Sequence, residues 1–278
     1  MSETLLEVED LDVNFPGRGG VTHAVRRASL TLGRERLGIV GESGSGKTTI
    51  GRAILGLIPR PGQVSAKRLN FRGTDLMALD SNGWLALRGR RMSMVMQDPR
   101  YSLNPVLKVG EQIQETYRLH HRTTAADARR QALAMLEKVH IRDPELVYHL
   151  YPHQLSGGMG QRAMIAMMLI AEPDLLIADE PTSALDVTIQ NQVLRILDDL
   201  VRQSGMGLIL ISHNLTVVSS FCDRVLVMYG GRIVEECRAD ELREARHPYT
   251  RALVAAAPAI DRPVAELATV ARDPAWLA

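Results

Sequence analysis

Eight residues constrain this chain more than any others: Gly41–Thr48, GESGSGKT. They follow a short apolar run, Leu37–Val40, and open TTIGRAILGLI, whose apolar residues recur at helical spacing until PRPG at Pro59–Gly62 stops them. The eight residues match G-x-x-x-x-G-K-[ST] in full, between a strand and a helix. In such a loop the glycines let successive N–H groups point inward, and the helix N-terminus adds partial positive charge. The result is a cradle for a phosphate chain. Lys47 then bridges the β- and γ-phosphates, and the Thr48 hydroxyl ligates Mg²⁺. The competing reading is an ordinary Gly/Ser turn, and a chance match in a chain of this length is on the order of 1%. The expected ligand is therefore ATP with Mg²⁺, and the candidate binding residues are Gly41, Glu42, Ser43, Gly44, Ser45, Gly46, Lys47, Thr48 and Thr49.

The rest of the chain supplies partners for that loop. LLEVEDLDVNF alternates apolar and polar residues as an exposed-face strand does. Buried-strand candidates follow at Met92–Met96, Leu175–Asp179, Gly207–Ser212 and Arg224–Met228, and YGGRIVEE reads as a hairpin turning at Gly230–Gly231. Strands alternating with helical patterns predict an α/β fold with a mostly parallel sheet covered by helices. Asp179 emerges at the end of the apolar run LLIAD, where ligands bind in parallel α/β sheets. It is the candidate second Mg²⁺ ligand, and Glu180 beside it is the candidate base for the attacking water. Taken alone, this pair would be solvated acids at a strand end; the complete phosphate loop upstream changes the balance. Gln97 ends MSMVM, where a carboxamide can reach both Mg²⁺ and the lytic water. His213 ends GLILIS, where an imidazole can meet the γ-phosphate and orient Glu180, although a strand-end histidine is more often structural. Phe15 either stacks on adenine or is a plain strand aromatic.

Bulk properties exclude other classes. Thirty-three basic against 32 acidic side chains leave a net charge of +1, without the basic surplus of a nucleic-acid binder. Two cysteines, Cys222 and Cys237, are too few for a disulfide framework and too isolated for a zinc site. The N-terminal MSETLLEVED lacks a basic and apolar leader, and the longest apolar run, Ala163–Ala171, is far short of the roughly 20 residues of a membrane helix. A soluble chain is expected.

A second glycine-rich helix start lies about a hundred residues downstream. In LSGGMGQR, Leu155–Arg162, Ser156 is a natural N-cap, and Gly157 and Gly158 leave backbone N–H groups open to an anion. One phosphate loop already cradles the triphosphate, so a second anion-binding helix mouth is redundant within one molecule. It makes sense if it closes over the γ-phosphate held by another. The bland alternative is a capped helix with a glycine-rich start.

With these pieces in order the chain resembles an ATP-binding-cassette ATPase over nearly its full length. GESGSGKT is similar to the Walker A loop, MQDP to the Q-loop, LSGGMGQR to the family signature, LLIADE to Walker B, SALD to the D-loop and ISH to the switch histidine. The resemblance implies a P-loop NTPase (RecA-like) core, an N-terminal antiparallel β-subdomain and a helical subdomain insert. Its expected boundaries are 1–97 and 155–245 for the core, 98–154 for the helical insert, and 246–278 for a peripheral tail. It adds Asp186 of the D-loop to the binding residues. It also implies a head-to-tail dimer with two composite sites, permease partners fed by a substrate-binding protein, and a peripheral place on the cytoplasmic face of the membrane. QDPRYSLNPVLKVGEQI, YPHQLSGGMGQR, ADEPTSALDVTIQNQ and RHPYTRALVAAAP resemble the importer branch for dipeptides, oligopeptides and nickel or related chelates. A soluble, non-transport ATPase of the same superfamily would call for long coiled coils, zinc cysteines or two cassettes per chain. Intact Lys47, Gln97, Glu180 and His213 argue against a non-hydrolysing regulator. Asn214 stands where the family usually has Asp, Arg34 stands where it usually has Gly, and no cysteine follows Cys237.

Overall fold

The computed structural model describes residues 4–183 and 185–256, with Asp273 and Trp276. The chain forms two compact units, Met1–Asp80 with Gly207–Ala278, and Ser81–Met206. The first opens with strands β1 (Leu6–Gly17), β2 (Gly20–Leu32) and β3 (Arg36–Val40), helix α1 (Lys47–Ile54), and the short strands β4 (Gln63–Ser65), β5 (Arg68–Phe71) and β6 (Thr74–Asp75). The second comprises α2 (Ser81–Leu87), β7 (Met92–Val95), α3 (Val109–His120), α4 (Ala125–Lys138), α5 (Pro144–His149), α6 (Gly157–Leu169), β8 (Leu175–Asp179) and α7 (Val187–Ser204). The first unit resumes with β9 (Gly207–Ile211), α8 (Leu215–Phe221), β10 (Arg224–Tyr229), β11 (Arg232–Arg238) and α9 (Pro248–Ala256).

Two sheets build the first unit. β1 pairs antiparallel with β2, β4 and β5, and its inward residues Leu6, Val8, Leu11 and Val13 are buried while the intervening ones are not. This is the period-2 pattern visible in LLEVEDLDVNF, broken once where the pairing register shifts between Val8 and Leu11. In the other sheet β3 runs parallel to both β10 and β9, pairing Ile39 with Leu226 and Ile211, and β11 returns antiparallel along β10. The hairpin turns where expected, with Gly230 and Gly231 both at positive φ (53° and 84°), as a tight primed turn requires. In the second unit β7 and β8 pair in parallel, Val95 beside Ala178. Every residue of β7, β8 and β9 is buried, which explains their unbroken apolar runs.

Within the second unit, helices α3, α4 and α5 follow one another between β7 and α6. Thr124 caps α4 by accepting from Asp127 N–H, and Asp143 caps α5 by accepting from Leu146 N–H. Helix α3 packs so closely on α5 that a Cβ at Gly110 would lie 2.0 Å from the Tyr148 ring. Gly110→Ala is therefore expected to destabilise the chain by about 1–3 kcal/mol, the usual range for overpacking. Urea unfolding followed by circular dichroism checks this, and an unchanged midpoint would show that the ring yields freely.

Three features depart from the sequence reading or lie beyond it. The adjacent histidines His120 and His121, which sequence pattern alone would place in a solvated turn, are half-buried at the end of α3. The His121 ring stacks on Tyr117 at 4.3 Å, and burial lowers the His120 pKa below the ordinary imidazole value. Strands β4–β6 and helix α2 carry no clear periodicity, being two to seven residues long. The segment 246–278 begins with α9, in which Tyr249 and Thr250 are fully buried, so this part does not lie loosely on the surface. Most of the remainder of that segment lies outside the described residues.

Both cysteines are held as thiols. Burial pushes the Cys222 pKa up to about 12, and burial followed by the Glu235, Glu241 and Glu236 carboxylates pushes Cys237 up to about 11.

Candidate functional site

The phosphate loop joins β3 to α1. Gly41, Gly44 and Gly46 take φ values of 152°, 82° and 101°, which side-chain-bearing residues rarely adopt. Space adds a second constraint, because a Cβ at Gly41 would sit 2.2 Å from the Met228 carbonyl oxygen, and one at Gly46 would sit 2.4 Å from that of Ala24. The β10–β11 turn supports the loop from the same side, with Gly231 N–H donating to the Ser45 carbonyl at 3.1 Å. Lys47 is 6% exposed, and its ammonium donates to the carbonyls of Gly41 (2.9 Å) and Glu42 (2.8 Å). Glu42 N–H donates to the Tyr249 hydroxyl at 2.9 Å.

These residues fit a magnesium-bound triphosphate. The Ser45 hydroxyl oxygen is buried without a hydrogen-bond partner, and the Lys47 charge lies beside the helix end that carries positive partial charge. The first N–H groups of α1 have no acceptor inside the helix. Thr48 and Thr49, in the first turn, are half-buried.

His213 leaves the end of β9, the strand paired with β3. Ser212 N–H donates to the Ile39 carbonyl at 3.1 Å, so the histidine and the phosphate loop rise from the same edge of two adjacent parallel strands. The neighbouring Asn214 caps α8 through its side-chain oxygen, which accepts from Val217 N–H at 3.2 Å. An aspartate would serve equally well in that cap, so the departure removes a charge and keeps the turn. At the other departure, the Glu35 carboxylate accepts from Gly33 N–H (3.2 Å) and from Arg224 (2.7 Å), holding the turn around Arg34. The Phe15 ring lies against the turn after α1, close to where a Gly62 Cβ would be, and is half-buried.

In the second unit, Gln97 follows β7, while Asp179 is the last residue of its parallel neighbour β8 and Glu180 the next, so all three share one strand edge. Asp179 is 6% exposed. Glu180 has φ 47°, an uncommon conformation for a residue with a side chain. Its carbonyl accepts from both the N–H and the hydroxyl of Ser183, which fixes the turn leaving the strand. Asp98, just after Gln97, is gripped by Arg100, whose hydrogen bonds hold its carboxyl below the ordinary carboxylate value.

The second glycine-rich start is the N-terminus of α6. Ser156 is its N-cap, accepting from Met159 N–H at 3.3 Å. Ser156 and Gly157 are exposed, while Gly158 is buried, where a Cβ would meet Ile189 at 2.8 Å. Asp186 is exposed and caps α7 through Ile189 N–H at 3.0 Å. Ser156, Gly157, Pro99 and Leu185 line one groove of ≈ 530 Å³, so the stretch after Gln97, the α6 mouth and the turn before α7 converge. Tyr249 is the residue of the phosphate loop's surroundings that sequence reading did not find. Its stretch, RHPYTRAL, is conspicuous in the sequence, but no local periodicity shows that it reaches residue 42.

Comparison with known proteins agrees with this geometry. The family described as ABC transporter matches residues 25–183, more than half of the chain. The dipeptide transport ATP-binding protein DppD of Haemophilus influenzae is 48% identical over 256 residues, 91% of this chain and 78% of the relative. The oligopeptide transport ATP-binding protein OppD of Bacillus subtilis is 46% identical over 260 residues, 92% of this chain and 73% of the relative. Among solved structures, the dimeric post-hydrolysis state of the ATP-binding cassette MJ0796 bound to ADP and Pi superposes with a TM-score of 0.74 at 25% identity, covering 84% of this chain and 99% of that one. Loop, strand-edge acids, second glycine-rich helix start and overall similarity converge: the chain belongs to the ABC transporter family and has its P-loop ATPase fold.

Proposed function

We propose that this chain is the ATP-hydrolysing subunit of an importer for dipeptides or oligopeptides, working as one of two cassettes beneath membrane-embedded permease subunits. One observation carries the need for a second cassette. The chain has a complete phosphate loop of its own and, besides it, a glycine-rich helix mouth at Ser156–Gly157 that faces solvent. The solute class follows the peptide-transport relatives that resemble nearly the whole chain. Among the described residues no helix is long and apolar enough to cross a membrane, which suits a peripheral subunit on the cytoplasmic face.

In this reading Lys47, anchored by the Gly41 and Glu42 carbonyls, reaches the β- and γ-phosphates, and Phe15 stacks on the adenine. Thr48, Asp179 and Gln97 would hold Mg²⁺, which when bound neutralises charge on the triphosphate. Glu180 accepts a proton from the attacking water, and His213 orients that water and Glu180. The backbone N–H groups at Ser156–Gly158 close over the partner's γ-phosphate, with Asp186 at the same seam. ATP closes the pair of cassettes and hydrolysis reopens it; the helical insert passes that two-state change to the permease.

Uptake of a radiolabelled dipeptide by cells lacking this chain tests the reading. The intact chain is expected to restore uptake, and a Lys47→Ala version is expected to restore none. Unchanged peptide uptake with lost nickel uptake in the deletion strain would move the solute to the metal-chelate class.

A further inference from the structure

Helix α9 contributes a contact that the phosphate-binding scheme above leaves unused. Tyr249 is fully buried, and its hydroxyl accepts from Glu42 N–H at 2.9 Å. The Gly41 carbonyl and the Glu42 N–H belong to one planar peptide unit and point to opposite edges of it. Lys47 donates to that carbonyl, also at 2.9 Å. A single peptide plane is thus pinned on one edge by the phenol and on the other by the ammonium. Gly41 is the residue that would let the plane turn, since it has no side chain to resist rotation about its backbone bonds. Turning the plane would carry the Gly41 carbonyl away from Lys47 and redirect an N–H within the phosphate loop.

The phenol itself is held by a cluster of tilted and edge-on aromatic rings. The Tyr249 ring lies 4.5 Å from Tyr229 and 5.5 Å from Trp276, and Trp276 lies 5.4 Å from Tyr229. The Tyr229 hydroxyl donates to the Asp273 carbonyl at 3.3 Å. Residues from β10, α9 and the end of the chain therefore fix one oxygen atom against the loop.

We infer that Tyr249 is a positioning residue for nucleotide binding: its hydroxyl sets the Gly41–Glu42 peptide and, through it, the Lys47 ammonium. This rests on reading Gly41–Thr48 as the ATP site. The C-terminal helix is then part of the phosphate-binding apparatus.

Titration calorimetry of the full chain with Mg-ATP tests this in three forms, wild type, Tyr249→Phe and Tyr229→Phe. Wild-type binding comes first, because its absence would overturn the ATP-site reading and not the role of Tyr249 within it. Tyr249→Phe keeps the ring and removes only the hydroxyl, so Kd is expected to rise about three- to ten-fold, the effect of one neutral hydrogen bond. In steady-state hydrolysis KM should rise by the same factor, with kcat within about twofold. Tyr229→Phe changes the same aromatic cluster without touching the loop and should leave Kd within about twofold. An unaltered Kd in Tyr249→Phe overturns the inference, and so does an equal loss in both variants, which would assign the effect to packing. If Tyr249→Phe does not fold, amide exchange in the wild type decides: a slowly exchanging Glu42 N–H supports the pin, and exchange at the rate of an open loop overturns it.

Discussion

In the Glu180→Gln variant ATP turnover is expected to fall by roughly 10²–10⁴-fold, the usual contribution of a general base, while an ATP-bound dimer is expected to accumulate. The substitution exchanges one carboxylate oxygen for an amide nitrogen and keeps side-chain length, so the shape of the site is preserved and proton-accepting power is lost. A hundredfold loss corresponds to about 2.7 kcal/mol of barrier. The local backbone favours a specific effect. Glu180 is held at φ 47° by the turn in which its carbonyl accepts twice from Ser183, and neither feature depends on the carboxylate. Gel filtration with and without Mg-ATP reads the dimer, and phosphate release reads turnover. Undiminished turnover would remove Glu180 from the base role.

The second large effect is at the mouth of α6. Ser156→Arg is expected to abolish hydrolysis and to leave the ATP affinity of the isolated monomer within about twofold. Ser156 is exposed at the N-cap, so an arginine there fills the space above the first turn without disturbing the buried Gly158. Loss of the cap costs about 0.5–2 kcal/mol of helix stability by itself, and Ser156→Ala measures that contribution separately. A large loss of monomer affinity in Ser156→Arg would mean that the mouth of α6 binds the chain's own nucleotide.

Much of this arrangement was legible in the sequence because it is local. Strands β1, β3, β7, β8, β9 and β10 each lie where an alternating or unbroken apolar run predicted them. The phosphate loop, the acids at the end of β8 and the cap of α6 were readable because spacing along the chain dictates their conformation. What sequence reading could not supply depends on distant contacts. Tyr249 meets Glu42 across 207 residues, and nothing in RHPYTRAL announces a buried phenol. The half-buried state of His120 and His121 likewise comes from packing at the end of α3: a Cβ at Gly89 would lie 2.5 Å from the His120 ring. Strands β4–β6 are too short for a period to appear, and partners in β1 define β4 and β5.

The central claim is that the phosphate loop of one cassette and the α6 mouth of another complete a single site. Mixing two defective chains tests it most directly. Lys47→Ala chains have an intact Ser156–Gly158 mouth, and Ser156→Arg chains have an intact phosphate loop. Each alone should be inactive. A mixed dimer contains one complete composite site, so ATP hydrolysis measured against the mixing ratio should reappear and peak near equal amounts. Failure of activity to return at any ratio, while the wild-type chain hydrolyses ATP under the same conditions, would contradict the account.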